Sequence, residues 1–345
     1  MKNFFQRYYP QNIILLLYVE FVTYINVFAF ICPYIILKLS NLAILNKIAN
    51  HILTFYKLCA HGQNFIIKYI YKSQIYVLGY ELMENYDKDF STKIFVQNHI
   101  MEHDFLFASV IFGDYYVSPN INTKAITLKQ IYAILPGLCL ISYLLGGKPL
   151  SKNKALQHMS NIKLNPSDIL IIYPEGQLLH TKTKLLSDNY CEKNNITIFN
   201  NVTCPKTTGI KILHSNVKID NIYILTVKYF DILKSNMMRK TILNTKFPKN
   251  TFIQITKHKV SDSIETDIMN IYRKMDSILD LPLDINNIHN YENVIKIKLT
   301  SIDICSFMLN ITIFIILINI LYYNIWFRYV YLIQTIIYYI WLYFV

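Results

Sequence analysis

Asn98-His99-Ile100-Met101-Glu102-His103-Asp104 is the stretch on which the reading of the fold turns. It is entered from Lys93-Ile94-Phe95-Val96-Gln97, a short apolar-rich run that reads as a strand. It is left through residues 105–111, which read as a helix. Strand, polar loop and helix in succession mark an α/β unit, where functional groups gather at strand ends. The loop carries two competing chemistries. His99 and Asp104 read as a general-base pair, an imidazole with a carboxylate to orient it. His99-x-x-Glu102-His103 reads instead as an inverted zinc-ligand motif. A third option is a plain polar helix start, with Asp104 acting only as a cap.

Outward from this loop the texture stays that of strands alternating with helices. Residues 75–80 and 124–128 read as strands. A helix from Lys129 is expected to bend at Pro136-Gly137, and residues 153–164 read as another. Residues 168–173 (Asp-Ile-Leu-Ile-Ile-Tyr) form a non-alternating apolar run, the mark of a strand buried on both faces. It ends in Pro174-Glu175-Gly176, so Glu175 also falls at a strand end. A helix over 186–193, a strand over 222–229 and an exposed-looking helix over 262–279 follow. The expected fold class is α/β.

The ends of the chain differ. Apolar residues make up 53% of the protein and charged residues only 16%, which points to membrane segments. Residues 13–37 are almost continuously apolar, too long for a cleaved leader, and read as a retained anchor. Glu20 and Pro33 interrupt it. Residues 41–73 mix apolar side chains with Lys47, Lys57, Lys68 and Lys72, as in amphipathic helices at a membrane surface. Residues 304–327 and 329–345 form two further apolar segments, read together as a C-terminal hairpin. Lysines following the first segment and preceding the second favour a cytosolic catalytic domain. The domain boundaries expected are 1–40 for the anchor, 41–73 for the amphipathic helices, 74–285 for the catalytic domain and 300–345 for the hairpin.

The net charge of +12 suits anionic lipid headgroups or phosphorylated substrates. Richness in Ile, Asn, Lys and Tyr is the competing explanation. No basic run with interleaved aromatics forms a nucleic-acid module, so no nucleic-acid partner is expected. The six cysteines form no Cys-x-x-Cys pair, which argues against a disulfide framework or a cysteine zinc site.

Further blocks give the loop its context. Gly146-Gly147-Lys148-Pro149-Leu150-Ser151-Lys152, Tyr173-Pro174-Glu175-Gly176 and Pro205-Lys206-Thr207-Thr208-Gly209 follow it in order. With Asn98-His99-x4-Asp104 they resemble the four blocks of the glycerophospholipid acyltransferase family, the group containing the lysophosphatidic acid acyltransferases. The resemblance covers roughly residues 74–285 and is closest to the eukaryotic branch with C-terminal membrane segments. It implies a glycerolipid-acyltransferase-like mixed sheet with flanking helices, an N-terminal membrane anchor and a C-terminal transmembrane hairpin. It also implies an integral membrane enzyme, at the endoplasmic reticulum with its catalytic domain facing the cytosol. Such an enzyme moves a fatty acyl group from acyl-CoA, a co-substrate, to a lysophospholipid acceptor, with no metal and no other cofactor. By the resemblance His99 is the base and Asp104 its partner, Gly147 and Lys152 seat the acceptor's phosphate, and Glu175 and Gly176 position its glycerol backbone.

The chain departs from the family's pattern in places. Met101 stands where a serine is usual, Lys148-Pro149 replaces an apolar pair, and Lys152 replaces an arginine. Gln177-Leu178 stands where many lysophosphatidic acid enzymes have Thr-Arg, which leaves the headgroup open between lysophosphatidic acid and lysophosphatidylinositol or lysophosphatidylglycerol. Two other classes remain. A zinc metalloprotease would use His99, Glu102 and His103 with Glu175 as third ligand. An inactive membrane scaffold of the same fold would suit the substitutions.

Overall fold

A computed structural model describes residues 37, 42–45, 47–48, 51–52, 61–84, 93–102, 104–111, 122–128, 148–150, 159–162, 168–231, 246–282, 288, 291–323 and 329. They fall into two compact units. The described parts of 67–111 and 153–298 belong to one, those of 14–66, 112–152 and 299–345 to the other.

The first unit is built on six strands: β1 (Gln74–Leu78), β2 (Lys93–Gln97), β5 (Asp168–Ile172), β6 (Asn221–Tyr229), β7 (Asn250–Lys259) and β8 (Val294–Lys296). β2 lies parallel to β5 on one side and to β6 on the other, with Val96 opposite Ile172 and Ile224. β6 pairs antiparallel with β7, which pairs parallel with β1; β8 closes that edge antiparallel to β1. The sheet is therefore mixed, in the order β5-β2-β6-β7-β1-β8. Ile94, Phe95, Val96, Ile169 and Leu170 are fully buried, as their unbroken apolar runs require of strands covered on both faces. The outer half of β7 alternates between partial and full exposure, so cover ends there.

Helices flank the sheet: α2 (Glu81–Glu84), α3 (Asp104–Ile111), α4 (Thr181–Lys193), α5 (Thr207–Asn216) and α6 (Ile264–Asp280). The expectation of an exposed helix over 262–279 is corrected. In α6, Ile264, Ile268, Ile271, Met275 and Ile278 recur every three or four residues, and with Tyr272 and Leu279 they form a buried face. Glu265, Arg273 and Lys274 occupy the other side, while Asp267 is buried, bonded to Ser261 and paired with His258. Each such apolar burial stabilises by ~2 kcal/mol. The Thr183 hydroxyl accepts the His180 N–H (2.9 Å) and donates to the Leu178 carbonyl (2.8 Å), so α4 begins five residues before the expected 186. β7, β8 and α5 were not expected.

In the second unit β3 (Asn122–Leu128) and β4 (Lys148–Leu150) form a parallel ladder, with Leu128 opposite Leu150. Helix α7 (Ser301–Tyr323) packs on the short α1 (Gly62–Phe65), where Phe65 stacks on Phe307 at 4.4 Å. Residues 301–320 of α7 are long and apolar enough to cross a membrane, with mean hydropathy 2.2. Its pattern is inverted relative to a water-facing helix. Asp303, Ser306 and Asn310 are buried, while Ile304, Met308, Ile315 and Ile318 face out, an arrangement suited to lipid. The helix starts with a reciprocal cap: Thr300 N–H donates to the Asp303 carboxylate, and Asp303 N–H to the Thr300 hydroxyl. The expected anchor over 13–37, the helix from Lys129 and the final apolar segment lie outside the described residues, apart from Leu37 and Tyr329. Of the helix expected over 153–164, residues 159–162 are described, and Met159 and Ser160 are helical.

Candidate active site

The C-terminal ends of β2 and β5 stand side by side, and the loops leaving them make the site. Asn98 is the first residue past β2 and is buried. Its side-chain amide donates to the Val227 carbonyl (2.9 Å) and accepts the Val227 N–H (2.8 Å), so it ties the loop to β6. His99 is held from the β5 side. Its N–H donates to Glu175 Oε1 at 2.8 Å, and its carbonyl accepts the Leu179 N–H at 3.0 Å. The backbone of His99 is thus fixed, through its N–H and its carbonyl, to the loop that leaves β5.

The ring is fixed as firmly. His99 Nδ1 lies 2.9 Å from Asp104 Oδ2, and the ring lies against that of Tyr173, tilted by 32° with centroids 4.3 Å apart. Asp104 opens α3 and is fully buried, while the His99 side chain keeps 24% of its surface exposed. The carboxylate also accepts the N–H groups of Ile100 (2.8 Å) and Met101 (3.1 Å) and the hydroxyl of Tyr229. Burial, and then the Asp104 charge, push the Tyr229 phenol well above its ordinary range, so it stays protonated and donates. With Nδ1 turned to a carboxylate, Nε2 is left to accept a proton.

Glu175 faces inward. It is 2% exposed, and its Oε2 accepts both the N–H (3.2 Å) and the hydroxyl (3.1 Å) of Thr203. Burial pushes its carboxyl up to about 7, against the opposing pull of the His99 and Thr203 donors. Both oxygens are engaged by N–H and O–H groups, which leaves the carboxylate poorly disposed to serve as a zinc ligand. Among the described residues no three histidine, cysteine or acidic side chains converge as a metal site; His103, a ligand of the zinc alternative, lies outside them. Gly176 follows with φ +66°, the left-handed conformation glycine adopts at least cost, and it is exposed.

Four of the six site residues expected from sequence are therefore brought together: His99, Asp104, Glu175 and Gly176. Gly147 and Lys152 lie outside the described residues. Three further residues belong to the site and carried no role in the sequence reading. Tyr229 reaches Asp104 from 125 positions away, and Thr203 reaches Glu175 from 28. Asn98 was part of the recognised block, yet its task of bridging to β6 has no signature in sequence.

No protein-family model matches the chain, and no solved structure matches it. Among curated proteins it is similar to lysocardiolipin acyltransferase 1 of the chicken, Gallus gallus, with 30% identity over 95 residues. The match takes in 26% of this chain and 25% of the relative, so it spans about a quarter of the length of that protein. Over that share, the likeness is to an acyltransferase.

Proposed function

We propose that the protein is a membrane-bound acyltransferase that moves a fatty acyl group from acyl-CoA to the free hydroxyl of a lysophospholipid. The observation that carries this reading is the His99–Asp104 pair, with the imidazole oriented through Nδ1 at 2.9 Å and its ring partly open to solvent. The acceptor hydroxyl gives its proton to His99 Nε2 as its oxygen attacks the thioester carbonyl. The tetrahedral adduct collapses, the C–S bond breaks, and the imidazolium returns the proton to the departing CoA sulfur. Asp104 holds the ring in the needed tautomer and offsets the charge that forms on it. Attack is direct, because the pair supplies a base and no serine or cysteine nucleophile adjoins it among the described residues. The four sequence blocks and the partial likeness to the chicken lysocardiolipin acyltransferase support the same chemistry. The acceptor is of the lysophosphatidic acid or lysophosphatidylinositol or lysophosphatidylglycerol type. Helix α7 holds the enzyme in the membrane, with the catalytic domain at the cytosolic face of the endoplasmic reticulum.

The test is acyl transfer from oleoyl-CoA to a panel of lysophospholipids by the full chain in detergent. Wild type is expected to turn over at least one acceptor, and folded His99→Ala to lose about a thousandfold. Near wild-type turnover by His99→Ala, or silence of the wild type across the panel, overturns the reading.

A further inference from the structure

The block Pro205-Lys206-Thr207-Thr208-Gly209 has no task in the mechanism above, yet the chain leading into it wraps the Pro174-Glu175-Gly176 turn. Thr203 holds the Glu175 carboxylate from inside. The Lys206 N–H donates to the Pro174 carbonyl at 2.8 Å. The Lys206 side chain then runs back across Gly176: a Cβ built on that glycine would stand 3.4 Å from Lys206 Nζ and 3.6 Å from Cδ. The ammonium therefore sits on the outer, solvent-facing side of the turn whose inner side anchors the backbone of His99.

This ammonium makes no hydrogen bond or ion pair among the described residues. The adjacent carboxylate does not neutralise it, since both Glu175 oxygens point inward to His99 and Thr203. The turn brings no other cation, because Gln177 is neutral and Leu178 is buried. An exposed ammonium with three donors, lying on the turn that anchors the backbone of the base and paired with no described residue, is open to an anionic group on the substrate. Resting on the acyl-transfer reading, we infer that Lys206 binds a phosphate ester of the substrate. Two sources share that chemistry. In a lysophospholipid the phosphate stands on the glycerol backbone close to the reacting hydroxyl, and CoA carries phosphates of its own.

The experiment compares wild type with Lys206→Met and Lys206→Arg as full chains in detergent. KM is measured for lysophosphatidylglycerol at saturating oleoyl-CoA, and for oleoyl-CoA at saturating acceptor. Binding of each compound alone is followed by calorimetry. Lys206→Met is expected to raise one KM, and the matching dissociation constant, by about tenfold, with kcat within about twofold. Lys206→Arg restores most of the loss. The affected KM rises with salt more steeply in wild type than in Lys206→Met. A shift in the acceptor value assigns the headgroup phosphate, and a shift in the donor value assigns a phosphate of CoA. Both values unchanged, or equal losses in Met and Arg variants with a lowered unfolding midpoint, overturn the inference. If wild type binds but does not transfer acyl groups and Lys206→Met loses binding, the function fails and the role of Lys206 stands. If transfer proceeds and Lys206→Met matches wild type, the reverse holds. Wild type binding neither compound sinks both.

Discussion

Among the described residues both units contain buried aspartates paired with histidine, and the pair of His99 and Asp104 is the one set at the strand ends. His99 and Asp104 are five positions apart, 2.9 Å from nitrogen to oxygen, with a ring that keeps a quarter of its surface open. His61 and Asp303 are brought together by the packing of α1 on α7, 3.5 Å apart, and both are 2% exposed. Asp303 divides its carboxylate between His61, the Asn64 amide at 3.2 Å and the cap of α7. His61 Nε2 is buried and has no hydrogen-bond partner among the described residues. The residue types are the same. What differs is whether the ring keeps an open face, and whether the histidine backbone is tied to the loop of a neighbouring strand. A dyad is defined by what surrounds it, and a buried pair beside an apolar helix is a tether.

Asp104→Asn gives the largest expected effect. The amide can donate to Nδ1, which favours the other tautomer and leaves a proton on the nitrogen that must accept one. Turnover should fall roughly a thousandfold or more, read by acyl transfer with circular dichroism to confirm folding. An active, folded Asp104→Asn would break the comparison at once.

Glu175→Gln comes next, and it tests the clamp. One of the two carboxylate oxygens becomes an amide that faces an N–H donor, so His99 shifts and activity falls by about tenfold to a hundredfold. The stability signature is separate. The folded pKa of Glu175, about 7, lies above its ordinary value. Its contribution to stability is therefore fully present below about pH 4.5 and is lost as pH rises through 7. Between those limits wild type should lose about 3 kcal/mol relative to Glu175→Gln. Unfolding midpoints of both proteins from pH 4.5 to 7.5 read this, and parallel curves would contradict it.

Asp303→Asn should do least to catalysis. It is expected to lower stability by about 1–3 kcal/mol, seen as a lower unfolding midpoint in detergent, with turnover of the folded protein within about twofold of wild type. A loss of turnover on the scale of Asp104→Asn would show that the second pair takes part in the reaction.

Much of the site was legible because its central pair is local. His99 and Asp104 are separated by one loop, and β2, β5 and β6 announce themselves by their apolar runs. The partners that come from far along the chain were invisible. Tyr229 is one tyrosine among 28, with nothing in its neighbourhood to mark it. β7 reads Asn-Thr-Phe-Ile-Gln-Ile-Thr-Lys-His-Lys, too polar in its outer half to stand out, and it forms because the long β6 offers it a ladder. α5 contains Thr, Thr, Gly, His, Ser and Asn, weak helix formers held by packing of Ile210 and Leu213. α6 was misjudged because charge count hid a stripe that only periodicity reveals. Of the membrane ends, α7 matches the apolar run that begins at 304, and its polar inner stripe emerges only once α1 is seen to pack there.

The two bonds between the Asn98 amide and Val227 make the base answerable to strand alignment. Along a strand, neighbouring residues turn their peptide groups to opposite edges. Were β6 to slip by a single position, the residue opposite Asn98 would present neither its N–H nor its carbonyl, and both bonds would vanish together. The slip would also turn the buried side chains of β6 to the wrong face. A misaligned sheet would thus lose its activity in the same step as its core, so a working site is itself a certificate that the central strands have been threaded correctly.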